Sequence, residues 1–258
     1  MYRENRLKSR LYDGKKALGC WLMSGNPIAA EVMALAGYDF MMIDHEHGPA
    51  DMMSAVNVLQ ALSATECTAL MRVPWNDPVY IKRALDIGTE GIMVPMVQSG
   101  EEARAVVAAC RYPPAGRRGM ATSAIRAANF GMDEREYLDT IHDNLLILCM
   151  IETVEAIENI EEIAAVDGVD ILFVGPSDIS ADMGLGGQRT HPEVQAMLAR
   201  AETAIKAAGK LMGTVPREGL TLDEMFGLGY DMISGGSDVT HLRNASVRQV
   251  ALHRETHG

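Results

Sequence analysis

The chain has 258 residues, 48% of them hydrophobic, enough for one large core and the usual size of an α/β barrel. Its 35 acidic residues outnumber 23 basic ones, for a net charge of −12, which argues against nucleic acid or an anionic membrane surface as partner. No apolar run approaches the roughly 20 residues that span a bilayer, and polar Asp13, Gly14, Lys15 and Lys16 stand where a signal peptide needs its apolar core, so no export is expected.

Residues 1–16 read as a short amphipathic helix with Leu7 and Leu11 on one side, ended by Asp13-Gly14 and covering one end of a barrel. A first strand over 18–23 leaves through Ser24-Gly25-Asn26-Pro27 into a helix over 28–36, closed by Gly37 as a left-handed cap. The second strand, Phe40-Met41-Met42-Ile43, runs straight into Asp44-His45-Glu46-His47, the pattern of a buried parallel strand whose carboxyl end opens into a site. A helix over 52–63, a strand over 69–73 and a helix over 78–86 stopped by Gly88 follow. The fourth strand is 91–97, and its helix, 101–110, has Ser99 as capping residue.

Residues 112–131 form the longest irregular passage, a length that is usually functional or lies at an interface. A helix over 133–144 leads to the fifth strand, 145–152, and then to an acidic helix over 154–165. The sixth strand, 171–175, is followed by Gly184-Leu185-Gly186-Gly187, read as a turn, and by a helix over 191–208 ended by Gly209. Strand seven (211–215), a helix (222–228), strand eight (231–235) and a last helix (239–253) complete the chain. Eight strands alternating with helices and no linker predict one (β/α)8 TIM barrel domain over residues 1–258.

In a barrel the chemistry sits at the carboxyl ends of the strands. Those tips are Asp44, Glu46 and His47, then Arg72, Glu152, Asp178 and Asp238. Converging carboxylates repel one another and raise their own pKa values, and a divalent cation relieves that repulsion. Two carboxylates plus water is the usual protein share of a Mg²⁺ or Mn²⁺ site and leaves positions open for a chelating substrate. Arg72 either pairs with an acidic tip or serves the reaction. Asp238 is read as a helix cap rather than a substrate contact, while Trp21 and Val215 read as core from pattern alone. No inferred strand ends in the lysine that a Schiff-base mechanism needs. There is neither a GxGxxG after the first strand nor a Walker loop, so nucleotide binding has no support. Cys20, Cys67, Cys110 and Cys149 form neither a CxxC pair nor a zinc spacing and read as reduced, buried thiols of a cytoplasmic protein.

Six motifs in order, Ile43-Asp44-x-Glu46-His47, Arg72-Val73-Pro74-Trp75-Asn76-Asp77-Pro78, Val94-Pro95-Met96-Val97, Arg111-Tyr112-Pro113-Pro114-Ala115-Gly116-x-Arg118-Gly119, Ile151-Glu152-Thr153 and Gly175-Pro176-Ser177-Asp178, closely resemble the HpcH/HpaI aldolase family. The likeness covers nearly the whole chain. It implies a class II, metal-dependent pyruvate aldolase that cleaves a 4-hydroxy-2-oxo acid to pyruvate, or a close 2-keto acid, and an aldehyde. It also implies a hexamer, a trimer of dimers, whose last helix is exchanged between neighbouring barrels.

By the same resemblance Glu152 and Asp178 hold a divalent metal (Mg²⁺, Mn²⁺ or Co²⁺), Arg72 faces the enolate oxygen, and His47, paired with Asp44, handles the proton of the hydroxyl. Asp86 reaches that histidine from an adjacent subunit. Gly175, Pro176 and Ser177 bind substrate, the backbone N–H groups around Gly175 and Ser177 taking the pyruvate carboxylate, and Trp21 and Val215 stand near the aldehyde. The chain departs from the family pattern at Met150, where glutamine is usual, and at His45, which replaces a small residue; alternation along the strand would turn His45 toward the helix layer, a rule from which strand ends often depart. Two other functions share these tips: a metal-dependent 2-keto acid decarboxylase or other carbon–carbon lyase, and a non-catalytic metabolite-binding barrel marked by Met150.

Overall fold

The computed structural model describes residues 2–257; Met1, where the predicted first helix starts, and Gly258, the last residue of the predicted barrel domain, lie outside the described residues. Eight parallel strands close on themselves in sequence order: β1 (Ala17–Leu22), β2 (Phe40–Asp44), β3 (Thr68–Arg72), β4 (Gly91–Val94), β5 (Leu146–Ile151), β6 (Ile171–Val174), β7 (Leu211–Thr214) and β8 (Met232–Ser237). The expected (β/α)8 barrel is the observed one. Helices α1 (Arg6–Tyr12), α2 (Pro27–Leu35), α3 (Met52–Leu62), α4 (Pro78–Asp86), α5 (Gly100–Cys110) and α6 (Glu134–Asn144) lie along the first half of the chain. The second half carries α7 (Val154–Glu158), α8 (Ile160–Ala164), α9 (Pro176–Asp182), α10 (Pro192–Ala207), α11 (Leu222–Gly227) and α12 (Asp238–His257).

The apolar residues sort into two layers because successive strand side chains point to opposite faces. Phe40, Met42, Leu70, Leu148 and Phe173 fill the barrel, whereas Met41, Ile43, Ala69, Met71 and Leu172 pack outward against the helices. Gly19 makes room for this filling: a Cβ there would stand 2.4 Å from the Phe40 ring. Leu7 and Leu11 of α1 join the inner cluster and are buried, so α1 closes the end of the barrel opposite the strand tips, as its amphipathic pattern predicts. Asn5 caps α1 and also donates to Glu90 O at 2.6 Å, fixing the plug to the barrel.

Two helical segments differ from the sequence reading. The helix expected over 154–165 is broken into α7 and α8 at Asn159 (φ −99°, ψ 15°), whose side-chain amide donates to Gln98 O at 2.9 Å. Residues 176–182, read as a strand tip and its sequel, form α9, with Pro176 in its first turn where a missing N–H costs nothing. The passage over 112–131 is packed rather than loose. Arg118 is buried with its guanidinium 4.6 Å from the Tyr112 ring centre and donates to Asp86 at 2.8 Å, and residues 126–131 make a 3₁₀ turn.

Candidate active site

The tips of the strands open into a cavity of about 540 Å³. Trp21, Arg72, Met150, Gly175, Asp178 and Val215 are among its walls, so residues from β1, β3, β5, β6 and β7 or just beyond them converge there. Trp21 and Val215, core by pattern alone, face this space.

Asp44 and Arg72 are register partners in β2 and β3. Arg72 donates Nε to Asp44 Oδ1 at 2.9 Å and Nη2 to Oδ2 at 2.6 Å, the fork-to-fork geometry that fixes both side chains. Asp44 Oδ1 also accepts the backbone N–H groups of Glu46 and His47 at 3.1 and 3.3 Å. The expected pairing of Asp44 with the His47 ring is therefore corrected: both Asp44 oxygens are taken by Arg72, and Asp44 holds His47 through its backbone. The His47 ring is 62% exposed, with Nε2 3.9 Å from Glu46 Oε2. Glu46 Oε2 also lies 2.8 Å from Arg72 Nη1, but off the line of an N–H, so the contact is an ion pair without an aligned hydrogen bond. Burial raises the Glu46 carboxyl, against the lowering by Arg72 and His47. The Arg72 guanidinium sits 4.3 Å from the Trp21 ring centre, and Nη1 is 4.0 Å from Met150 Sδ, the atom that stands where the family pattern has an amide.

Glu152 follows β5 and is 3% exposed. Its Oε1 accepts the Met96 backbone N–H at 2.7 Å. Met96 has φ +54°, a left-handed conformation that L residues other than glycine rarely adopt, so the chain tolerates local strain where that N–H meets the carboxylate. Burial pushes the Glu152 carboxyl up to about 7, and the negative charges of Asp178 and Glu46 push the same way. Asp178 is exposed in the first turn of α9. The two acids share a corner made possible by Gly175: a Cβ there would lie 3.0 Å from Glu152 Oε2 and 3.8 Å from Asp178 Oδ2. Two carboxylates around one open corner, one of them destabilised as an anion, make a donor set that fits a hard divalent cation. Among the described residues no cluster of three or more metal-ligating side chains is formed, so any ion there takes its remaining ligands from water or substrate.

Several residues predicted for the site are placed differently. The Gly175 N–H donates to Ile151 O at 3.0 Å, so it is not open to a carboxylate; Ser177 and Asp178, in the first turn of α9, have no intrahelical acceptor for theirs. Asp238 accepts from Met23 N at 2.8 Å and Ser24 N at 3.1 Å, tying the exit of β1 to the start of α12. It is not a wall of the cavity, and it is not the cap of α12; Ser237 fills that place, accepting from Thr240 N at 3.1 Å. Asp86 is not a wall of the cavity and bonds Arg118. His45 turns to the helix layer as alternation predicts, with Nδ1 2.8 Å from Tyr80 Oη, and burial lowers its pKa. Sequence reasoning missed Arg189, a cavity wall beyond the glycine-rich turn; an arginine following such a turn after a strand tip is the signal that could have found it.

Residues 17–245 match the sequence model of the HpcH/HpaI aldolase/citrate lyase family. The 4-hydroxy-2-oxo-heptane-1,7-dioate aldolase of Salmonella typhimurium is 41% identical over 239 residues, 93% of this chain and 90% of that protein. A crystal structure of an HpcH/HpaI aldolase/citrate lyase family protein from Burkholderia cenocepacia superposes with a TM-score of 0.92 at 36% identity, covering 97% of this chain and 99% of that one. An HpcH/HpaI aldolase from Desulfitobacterium hafniense gives 0.89 at 31%, covering 96% of each chain.

Proposed function

The chain belongs to the HpcH/HpaI aldolase/citrate lyase family, and from that premise we propose a class II aldolase: a carbon–carbon lyase that reversibly cleaves a 4-hydroxy-2-oxo acid to pyruvate, or a close 2-keto acid, and an aldehyde. The observation that carries this reading is the approach of Glu152 and Asp178 to the bare Cα of Gly175, with Gly175, Asp178 and Arg72 on the wall of one cavity and Glu152 buried behind it. Glu152 and Asp178 would hold a divalent cation, Mg²⁺, Mn²⁺ or Co²⁺, which when bound supplies positive charge and open positions for the oxygens of a 2-oxo acid.

The chain's own groups account for the rest. His47, a wall of the cavity with its ring 62% exposed, takes the proton from the C4 hydroxyl. The C3–C4 bond then breaks: C4 leaves as the aldehyde carbonyl, and the bonding pair moves onto the C3–C2–O fragment as an enolate. Arg72, locked by Asp44 and backed by Trp21, holds a donor and a positive charge beside that oxygen without having to reorganise. Protonation at C3 yields the 2-keto acid. Ser177, through its unpaired backbone N–H, orients the substrate carboxylate, and Pro176 shapes the wall beside it. Trp21 and Val215 border the aldehyde side.

The reading extends to one catalytic barrel domain in a cytoplasmic homo-oligomer, a hexamer built as a trimer of dimers. In support, α12 leaves Leu242, Val247 and Leu252 exposed, and the four cysteines are all unpaired and buried. Such an assembly would supply Asp86 to a neighbour's His47. The test is pyruvate release from a 4-hydroxy-2-oxo acid with and without chelator. Loss on chelation, recovery with a divalent metal and loss in Glu152→Ala support the reading; activity indifferent to both rejects it.

A further inference from the structure

We infer that His45 is a positioning residue: through Tyr80 it latches the turn that carries His47 to α4, and so sets where that base meets the substrate hydroxyl; this rests on the aldolase reading above. Among the described residues the His47 ring has no hydrogen bond, Glu46 standing 3.9 Å off, so its reach depends on how its backbone is held. The turn from Asp44 to Gly48 folds back tightly, and a Cβ on Gly48 would collide with Asp44 O. On its inner side Asp44 accepts the N–H groups of Glu46 and His47 and is itself gripped by Arg72. His45 leaves on the other side.

Its side chain ties the turn to the helix layer. Nδ1 lies 2.8 Å from Tyr80 Oη, among the described residues the one side-chain hydrogen bond from residues 44–48 to a helix, and the two rings stand edge to face at 79°. Tyr80 is in the first turn of α4, which Asp77 caps through Val79 N at 2.9 Å and Pro78 stiffens, so the anchor is firm. His45 is 6% exposed, and its Nε2 is buried without a partner. A buried N–H with no acceptor costs more than a bare ring nitrogen, so the proton sits on Nδ1 and is donated to Tyr80. Were packing the only demand here, an apolar side chain would fill the same layer and leave no ring nitrogen unpaired. The small residue of the family pattern cannot make this tie, so the latch is this chain's own.

The experiment measures kcat and KM for pyruvate release from 4-hydroxy-2-oxopentanoate with Mg²⁺, Mn²⁺ or Co²⁺ supplied. Beside it runs deuterium exchange into the methyl group of pyruvate, which has no C4 hydroxyl and does not call on His47. His45→Ala and Tyr80→Phe should each lower kcat for cleavage about tenfold, with KM and the exchange rate near wild type. The double variant should be no slower than the slower single one, since both remove the same bond. His45→Asn, whose Nδ2 can stand in place of Nδ1 and donate to Tyr80, should recover most of the rate. Equal losses in cleavage and exchange, additive losses in the double variant, or an unchanged kcat in folded Tyr80→Phe would overturn the assignment. Cleavage and exchange both present in wild-type protein, with their ratio unaltered in the variants, reject the latch alone; absence of both in wild-type protein rejects the aldolase reading and this inference with it.

Discussion

Asp44 grips Arg72 through both of its oxygens, from the neighbouring strand, at 2.9 and 2.6 Å. The pair is 0% and 9% exposed at the side chains, so the arginine is aimed before any ligand arrives. Replacing Asp44 by Asn removes one charge from a desolvated pair and should destabilise the fold by about 2–3 kcal/mol. It should also lower kcat/KM for cleavage about a hundredfold, because Arg72 is no longer fixed. Urea unfolding and steady-state kinetics measure the two effects separately.

Glu152 makes the metal-free protein sensitive to pH. Its folded value, about 7, lies above the ordinary 4.5, so between those values the folded chain keeps a proton that the unfolded chain has released. Stability of the metal-free protein therefore falls as pH rises through that window, by no more than about 3 kcal/mol. Glu152→Gln should reduce the slope, leaving the part due to Glu46, whose carboxyl burial also raises; urea titrations in chelator at pH values on either side of the window will show it.

The same raised carboxyl couples metal binding to proton release. Below pH about 7 the ion must displace the Glu152 proton, so apparent metal affinity should weaken up to tenfold per pH unit as pH falls. Calorimetry in buffers of different ionisation enthalpy reads the proton directly; a pH-independent affinity would contradict the assignment.

Met96 donates to Glu152 from a left-handed backbone. Met96→Gly should preserve the N–H and metal binding. Met96→Val, β-branched, should lose about 1–2 kcal/mol of stability and weaken the metal, since its preferred backbone turns the N–H away. Thermal shift with and without metal distinguishes the two variants.

Leu7→Ala removes packing from the plug and leaves the active-site cavity untouched. It should destabilise by about 2–5 kcal/mol while leaving KM for substrate unchanged. Parallel unfolding and kinetic runs check both.

The barrel was legible because Phe40–Asp44 and Ile171–Val174 are short apolar runs ending in chemistry, and because Gly37, Gly88 and Gly209 stop helices with positive φ. The acidic tips were legible for the same reason. What sequence alone does not carry is the choice among partners. Asp44 had Arg72 and His47 within plausible reach, and the β2–β3 register gives it to Arg72. Whether the Gly175 N–H is open depends on Ile151 across the sheet, and the break at Asn159 depends on Gln98, 61 residues away in sequence. Asp238 resembles a helix cap locally, but its acceptors are used by Met23 and Ser24 from the far end of the chain.

Leu7 and Leu11 of α1 belong to the same cluster as Phe40, Met42, Leu70, Leu148 and Phe173, so the far end of the barrel is sealed by packing that continues through its interior. The barrel is thus a solid pillar rather than a tube, and α1 serves as its footing: loosening that helix should cost stability at one end while the chemistry at the other end keeps its shape.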